Sequence, residues 1–363
     1  MDKDYSSAME ISLGQRLREL PGPLLLTGHS GFKGTWMTLL FEHLGVPVIG
    51  YSLEPEKDSL FDRGKRIGSI PERFADIRDY EALESFIDLH RPSTMIHMAA
   101  QPLVLESYEY PRETFDINIM GTVNVLDIAF RKDFIKAIVV VTTDKVYRND
   151  NSGRAFIESD PLEGKDPYSA SKVGTEAVVA AWQQISRTSG GPKVVSVRAG
   201  NVIGGGDFAA NRIIPDLIRG IITGEAVEIR SPNSTRPWQH VLDPLHGYIK
   251  ALESLILGND LVCLNFGPTD KSLNVSELVK IGIAYFPALS DLTSNNTKPE
   301  SDLESISLGL NPGKSIAELN WQPKWDQVES ISKTFTWWKK IVEEESNPMA
   351  ICIQNIEEFL AQD

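Results

Sequence analysis

Tyr168 and Lys172 stand four residues apart in Tyr168-Ser169-Ala170-Ser171-Lys172. On a helix that spacing sets a phenol and an ammonium on one face. A cation beside a tyrosine stabilises its anion and lowers its pKa, which makes the phenol a usable base. Alone, such a pair is a common surface arrangement. Upstream, the β-branched run Ala137–Thr142 ends in Thr143-Asp144-Lys145-Val146-Tyr147. The end of a parallel strand is where a hydroxyl such as that of Thr143 meets a substrate above a sheet.

A second signal lies near the start of the chain. The apolar run Leu24–Leu26 passes into Thr27-Gly28-His29-Ser30-Gly31-Phe32-Lys33-Gly34, and a helical pattern follows. Glycines at this spacing let the backbone turn tightly and approach a pyrophosphate at a helix N-terminus. The position of the motif, after a first strand and before a helix, points to dinucleotide binding. Asp76-Ile77-Arg78-Asp79 follows the third strand, where Asp76 and Ile77 can read an adenine edge. The acidic residue that reads a ribose at the end of strand two is missing: Gly50-Tyr51-Ser52-Leu53 stands there, with Arg63, Lys65 and Arg66 downstream. The residues therefore leave NAD and NADP both open. His29 lies inside the turn and has no serine or carboxylate partners in sequence that would make it catalytic.

Strand candidates at Leu24–Leu26, Val48–Tyr51, Arg73–Ala75, Thr94–His97, Ala137–Thr142 and Val194–Val197 alternate with segments of 3.6-residue period. The helical segments are Trp36–Leu44, Tyr80–His90, Phe115–Phe130 and Ser169–Ser186. This alternation predicts an α/β fold, a Rossmann-type doubly wound parallel sheet. After Gly200 the pattern loosens. Gly204-Gly205-Gly206 opens a loop, Arg212–Ile222, Leu278–Tyr285 and Ser330–Glu343 read as helices, and polar Ser290–Ser305 reads as a surface loop. The expected organisation is an N-terminal extension, 1–20, and a cofactor-binding domain, 21–203, with a segment returning near 236–257. A smaller mixed α/β substrate domain takes 204–235 and 258–345, and 346–363 is a C-terminal tail.

Composition bounds the partners. The 363 residues carry 36 Lys plus Arg against 50 Asp plus Glu, a formal charge of -14. That balance disfavours nucleic acid, which clustered cations bind. The anionic ligands implied by the motifs then require a local positive cleft near Lys172 and Arg236. Apolar residues at 41% and charged residues at 24% suit a globular chain, not a disordered one. Cys263 and Cys352 make no disulfide framework, and the six histidines show no metal spacing. Two buried thiols in a reducing compartment are the plainer reading. No run has the length of a membrane span, and Met1–Glu10 lacks a signal pattern, so a cytoplasmic protein is expected.

Six stretches together resemble the extended short-chain dehydrogenase/reductase family of nucleotide-sugar epimerases and dehydratases. They are the Thr27–Gly34 turn, His97-Met98-Ala99-Ala100-Gln101-Pro102-Leu103-Val104, Asn118-Ile119-Met120-Gly121-Thr122, Thr143-Asp144-Lys145, Arg198–Asp207 and Arg236-Pro237-Trp238-Gln239-His240-Val241. The resemblance runs from about Leu24 to Lys340 and is narrowest to the branch of 4,6-dehydratases acting on CDP-glucose. It implies a redox-neutral cycle in which NAD takes a hydride from carbon 4 of the sugar and returns it at carbon 6 after loss of water. Tyr168 is implied as the base for the 4-hydroxyl, Lys172 as the cation that lowers its pKa and holds the nicotinamide ribose, and Thr143 as a hydrogen-bonding partner. Asp144 is the implied acid for the departing water, which requires a site that keeps it protonated. Lys145 replaces the glutamate base of dTDP-glucose dehydratases. It serves either as a base, given burial or a cationic neighbour, or as an electrostatic stabiliser of the enolate.

The cofactor-binding set implied is Gly28, His29, Gly31, Phe32, Lys33, Asp76, Ile77, Ala99 and Ala100, together with Tyr168 and Lys172. Asn201 and Arg236 are expected at the sugar diphosphate, since an arginine fork and an amide both suit phosphate oxygens. Trp238 is expected to wall the nucleotide, Gln101 and Asn118 to lie near the hexose, and Asp207 with Arg212 to order the glycine loop. Phe208 stands where tryptophan is common in the family. The chemistry needs no metal. The resemblance further implies a homodimer through the Phe115–Phe130 and Ser169–Ser186 helices and a place in deoxysugar biosynthesis of the kind that feeds lipopolysaccharide O-antigen.

Overall fold

Short aliphatic runs that bury both faces pair as parallel strands because helices can cover each side. In the computed structural model, which describes residues 12–150, 152–295 and 308–362, this produces a seven-stranded sheet. Its strands are β1 (Leu24–Thr27), β2 (Val48–Ser52), β3 (Glu72–Phe74), β4 (Thr94–His97), β5 (Ala137–Val141), β6 (Lys193–Ala199) and β7 (Cys263–Phe266). They lie in the order β7-β6-β5-β4-β1-β2-β3, and all pairings are parallel. The strand order reverses between β1 and β4, where Thr27 pairs with His97, and ligands of such sheets bind beyond that point.

Alternate side chains feed two cores. Leu24, Leu26, Val139, Val195 and Val197 point to one face; Leu25, Ile49, Met95, Ile138 and Val140 point to the other. The second face is covered by helices α2 (Tyr80–His90), α3 (Gly121–Phe130) and the long α4 (Pro167–Ser189). On the first face lie α1 (Phe32–His43) and α6 (Leu242–Ile256), with α5 (Ile213–Thr223) preceding α6 in the chain. That core continues into Trp321, Trp325, Phe335, Trp337 and Trp338, so both halves of the chain share it. Helices α7 (Val275–Tyr285) and α8 (Gln327–Val342) pack together there.

Three parts differ from the sequence expectation. The 346–363 segment contains α9 (Pro348–Leu360), whose Ile351, Cys352, Ile356 and Phe359 are buried and which packs on α1. Its polar stretches masked an amphipathic period. The loop expected at Ser290–Ser305 begins as a helical turn, Leu289–Leu292, and a strand, Thr293–Asn295, paired with Val227–Ile229; its remainder, 296–305, lies outside the described residues. The helix expected at Phe115–Phe130 is present but begins earlier, at Pro111, and carries a π segment at Asp116–Met120 before α3. Of the expected N-terminal extension, residues 12–20 contain only the turn Gln15–Arg18, and 1–11 are outside the described residues.

Candidate active site

The glycine turn is built by close approach. Gly28 has φ +74°, and a Cβ there would lie 2.8 Å from the Ala99 nitrogen. A Cβ on Gly34 would lie 2.1 Å from the Gly28 carbonyl, so only glycine lets α1 start so near the turn. Gly31 caps α1 in extended conformation without any side-chain hydrogen bond, which leaves the first-turn amides to another acceptor.

Beneath the turn runs a chain of hydrogen bonds. Thr27 Oγ1 accepts from the Met98 and Ala99 amides and lies 2.7 Å from His97 Nδ1. His97 Nε2 lies 3.1 Å from Thr122 Oγ1, whose hydroxyl donates to the Asn118 carbonyl. This polarity requires Nδ1 to accept and Nε2–H to donate, the neutral tautomer. Burial and the Lys172 cation push the His97 pKa down to about 3, consistent with that assignment.

α4 carries the Tyr168–Lys172 pair and is firmly started. Asp166 Oδ1 accepts from the Ser169 amide, Ser169 Oγ accepts from the Asp166 amide, and Pro167 fills the first helical position. Gly190, at φ +81°, ends it. The helix brings Tyr168 to Thr143, whose hydroxyl bonds the phenol and donates to Asp144 Oδ1 at 3.0 Å. Asp144 is buried with its Oδ2 unpartnered, and burial raises its pKa against the pull of Lys145, Thr143, Arg236 and Lys33. Lys145 is half-buried beside it.

The Tyr168 phenol departs from the sequence expectation. Its pKa is pushed up to about 12, because burial outweighs the Thr143 hydrogen bond. The Lys172 ammonium donates to the Val141 carbonyl at 3.2 Å, and burial pulls its own pKa down to about 8. Lys33 extends from α1 into the same cleft, within electrostatic range of Arg212, Lys172, Asp144 and Asp207, and burial followed by Arg212 brings its pKa to about 8. Lys33, Lys145 and Arg236 thus act on the Asp144 carboxyl, and Lys172 and Arg212 lie within electrostatic range of Lys33. This is the positive cleft required by an acidic protein with anionic ligands.

Arg212, at the start of α5, is held by Asp207 at 2.9 Å, and Asp207 also accepts the Ala209 amide. The glycine loop just before Asp207 is wedged in place: a Cβ on Gly205 would lie 2.0 Å from the Trp337 ring. Arg236 sits in a short antiparallel pair, Thr235–Arg236 with Leu273–Asn274, and donates to the Thr235 carbonyl. The Asn201 carbonyl accepts from the Gln239 amide, and its side chain is half-buried.

Several expected contacts are spent inside the protein. Gln101 Nε2 donates to Thr114 Oγ1 and the Leu103 carbonyl, and Oε1 accepts the Leu103 amide. Asn118 Oδ1 accepts the Gln101 amide while Nδ2 donates to the Gln101 carbonyl and Ser171 Oγ. These amides tie the loop after β4 to α4, with the N–H donors spent inside the protein and one acceptor lone pair left on each oxygen. Trp238 is buried in the core, with its indole N–H unpartnered. The His29 ring is buried below the turn, bonded to Glu72 at 2.8 Å and stacked on Phe74, because Gly50 leaves room for it. Ile77 lies in the core and Asp76 is chelated by Arg78 at 2.7 Å, so its carboxylate pKa is lowered. Arg63 and Arg66 pair with Asp58 and Glu42.

One cluster escaped the sequence reading. Glu176, one turn beyond Lys172, is buried with Arg198, Thr142 and Ser196. Its only signal was a glutamate on the buried face of a helix opposite an arginine within a β-branched strand.

A parallel sheet with a glycine turn at its switch point and a Tyr–Lys pair beside a strand-end threonine defines a dinucleotide-dependent enzyme of the short-chain type. A family model described as "NAD dependent epimerase/dehydratase family" matches residues 24–262. The CDP-glucose 4,6-dehydratase of Salmonella typhimurium is 38% identical over 339 residues, covering 91% of this chain and 93% of that protein. The dTDP-glucose 4,6-dehydratase of Haemophilus influenzae is 27% identical, covering 87% and 97%. The chain belongs to the NAD-dependent epimerase/dehydratase family. Among solved structures, the dTDP-glucose 4,6-dehydratase of Streptomyces venezuelae with NAD and TYD bound has a TM-score of 0.76 at 24% identity, covering 90% of this chain and 99% of that one. A UDP-glucose 4-epimerase of Thermotoga maritima with UDP-glucose has a TM-score of 0.76 at 21% identity, covering 88% and 100%. Both share the fold.

Proposed function

We propose that this protein is a nucleotide-sugar 4,6-dehydratase that converts CDP-glucose to CDP-4-keto-6-deoxyglucose and water with a recycled NAD. The observation that carries it is Asp144: a buried carboxyl with a raised pKa and a bare oxygen, touching the threonine that bonds Tyr168. An epimerase has no need of such an acid. The tight Gly28 approach to Ala99 and the uncapped start of α1 fit a dinucleotide pyrophosphate, and the pairing of Arg63 and Arg66 with carboxylates favours NAD over its 2′-phosphorylated form. When bound, NAD supplies the hydride acceptor at carbon 4 and the donor at carbon 6.

The protein's own groups move the protons. Tyr168 takes the 4-hydroxyl proton, with Thr143 fixing the oxygen and Lys172 as the nearby cation. With its pKa pushed up to about 12 the phenol is almost wholly protonated at neutrality, so the step needs nearby positive charge, which Lys172 supplies and a bound nicotinamide would add. Asp144, held protonated, gives its proton to the departing 6-hydroxyl. Lys145 acts at carbon 5, by removing its proton or by stabilising the enolate. A pH–rate profile of Lys145→Gln separates the two, and unchanged dehydration removes Lys145 from both. Arg212, Arg236 and Asn201 hold the diphosphate.

The test is incubation with NAD and CDP-, dTDP-, GDP- and UDP-hexoses, read by mass. Loss of one water from CDP-glucose supports the assignment; an epimer of unchanged mass, or no turnover of any hexose, overturns it.

The remaining readings rest on separate observations. Leu105, Tyr108, Phe115 and Met120 are exposed on the helical segments 104–109 and 111–120, apolar surface that suits a second copy of this chain, and sedimentation measures it. Among the described residues no helix is long and apolar enough to cross a membrane, and both cysteines are free and buried, which favours a cytoplasmic location. The return of α6 onto β5 and β6 favours 236–257 as part of the cofactor-binding unit.

A further inference from the structure

Glu176 lies on α4 one turn beyond Lys172 and two beyond Tyr168. Its carboxylate is buried and makes four hydrogen bonds. Oε1 accepts from Thr142 Oγ1 at 2.5 Å and Arg198 Nε at 2.8 Å; Oε2 accepts from Ser196 Oγ at 2.7 Å and Arg198 Nη2 at 2.9 Å. Thr142 immediately precedes Thr143 and Asp144, and its hydroxyl lies nearer Glu176 than the Val197 carbonyl, at 3.3 Å. One carboxylate therefore joins the helix bearing Tyr168 and Lys172 to the strand end bearing Thr143 and Asp144, and both to β6.

We propose that Glu176 is a positioning residue: through Thr142 it sets the strand-end Thr143–Asp144 pair against Tyr168, and its charge, one turn away, holds Lys172 as a cation. The proposal rests on the dehydratase reading above for its kinetic consequence, though not for its effect on Lys172. A neutral side chain of the same shape at 142 removes the link without opening a cavity, and small displacements of reacting groups carry large rate losses. Three charged or titratable groups face Lys172: Lys33 from α1, the neutral His97 from β4 and Glu176 on its own helix. The first two add no negative charge at neutral pH, which leaves the Glu176 carboxylate, shared with Arg198, as the negative group beside it.

The experiment compares Thr142→Val, Thr142→Ser and Glu176→Gln with wild type in the full chain. Thr142→Val should lower kcat about 10- to 100-fold with KM for CDP-glucose within twofold and a thermal midpoint lowered by no more than a few degrees, and Thr142→Ser should restore kcat. Wild-type kcat in Thr142→Val, or equal losses in the Val and Ser variants, overturns the link. Lys172 is followed by NMR of the ¹⁵N-labelled ammonium, assigned by its loss in Lys172→Arg. In Glu176→Gln its titration should move down by about one pH unit or more. An unmoved titration, or a Glu176→Gln that no longer folds while Thr142→Val keeps full kcat, overturns the proposal. If wild type leaves CDP-glucose untouched while the titration moves, the substrate reading fails and the positioning of Lys172 stands.

Discussion

Two buried polar clusters share α4 and β5, one helical turn apart, and they are built oppositely. In the rear cluster every oxygen of Glu176 is bonded, Arg198 also reaches the Tyr147 hydroxyl, and that phenol donates to Asn265 Oδ1. In the front cluster Asp144 Oδ2 has no partner, and burial lowers the pKa of Lys33 beside it and of Lys172 beside Lys33. Satisfied buried charge is rigid and holds its ordinary protonation state, whereas unsatisfied buried charge is destabilising and shifts its titration toward neutrality. The rear, closed by Arg198 and Ser196 of β6, is built as structure; the front, open toward Lys33 of α1, is built as chemistry.

The largest effect that would sharpen this contrast is on rate. Tyr168→Phe should lower dehydration by about 10²- to 10⁴-fold with thermal stability kept, read by product mass and by a melting curve. A parallel fall in stability would mean that the front, too, is scaffold. Asp144→Asn should slow loss of water about 10²-fold while oxidation at carbon 4 persists, so that reduced nicotinamide accumulates and is seen by its near-ultraviolet absorbance. Because burial raises the Asp144 pKa, the acid form persists to higher pH than for a free carboxyl and is lost as pH climbs through that value. The wild-type rate should fall on that alkaline side, and the Asn variant should lack the limb.

Smaller effects test the rear and its surroundings. Asn118→Ala should destabilise by about 1–3 kcal/mol, since Gln101 and Ser171 lose buried partners, with KM for the sugar unchanged in steady-state kinetics. A large KM increase would restore Asn118 to the substrate. Asp243 at the start of α6 is intermediate between the clusters: Oδ1 accepts the Lys324 amide, Oδ2 is bare, and burial pushes its pKa up to about 7. The native state then holds a proton that the unfolded chain, titrating near ~4, releases first. Its contribution to stability is present in full below about pH 4 and is lost as pH rises to about 7. Urea midpoints at several pH values across that window should decline in wild type, and that slope should flatten in Asp243→Asn.

The sequence by itself determined the order of strands and helices, because period and punctuation are local. Tyr80–His90 and Thr94–His97 are found where the patterns predict them, and the glycine turn follows β1 as required. It also determined which residues could do the chemistry, because Tyr168, Lys172, Thr143 and Asp144 carry groups that few other residues offer. It did not determine which side chains are free to act. Gln101 and Asn118 fit a hexose by type and position, but Gln101 is held by Leu103 and Thr114, and Asn118 by Gln101 and the distant Ser171. His29 sits in the phosphate turn yet turns beneath it to Glu72, and 346–363, read as a tail, is a helix against α1. The phenol pKa reversed direction for the same reason. A neighbouring cation is legible as a spacing of four, whereas desolvation depends on every element that closes over the site. Hydrogen-bond capacity and burial are properties of the assembled fold, and only the tertiary structure decided them.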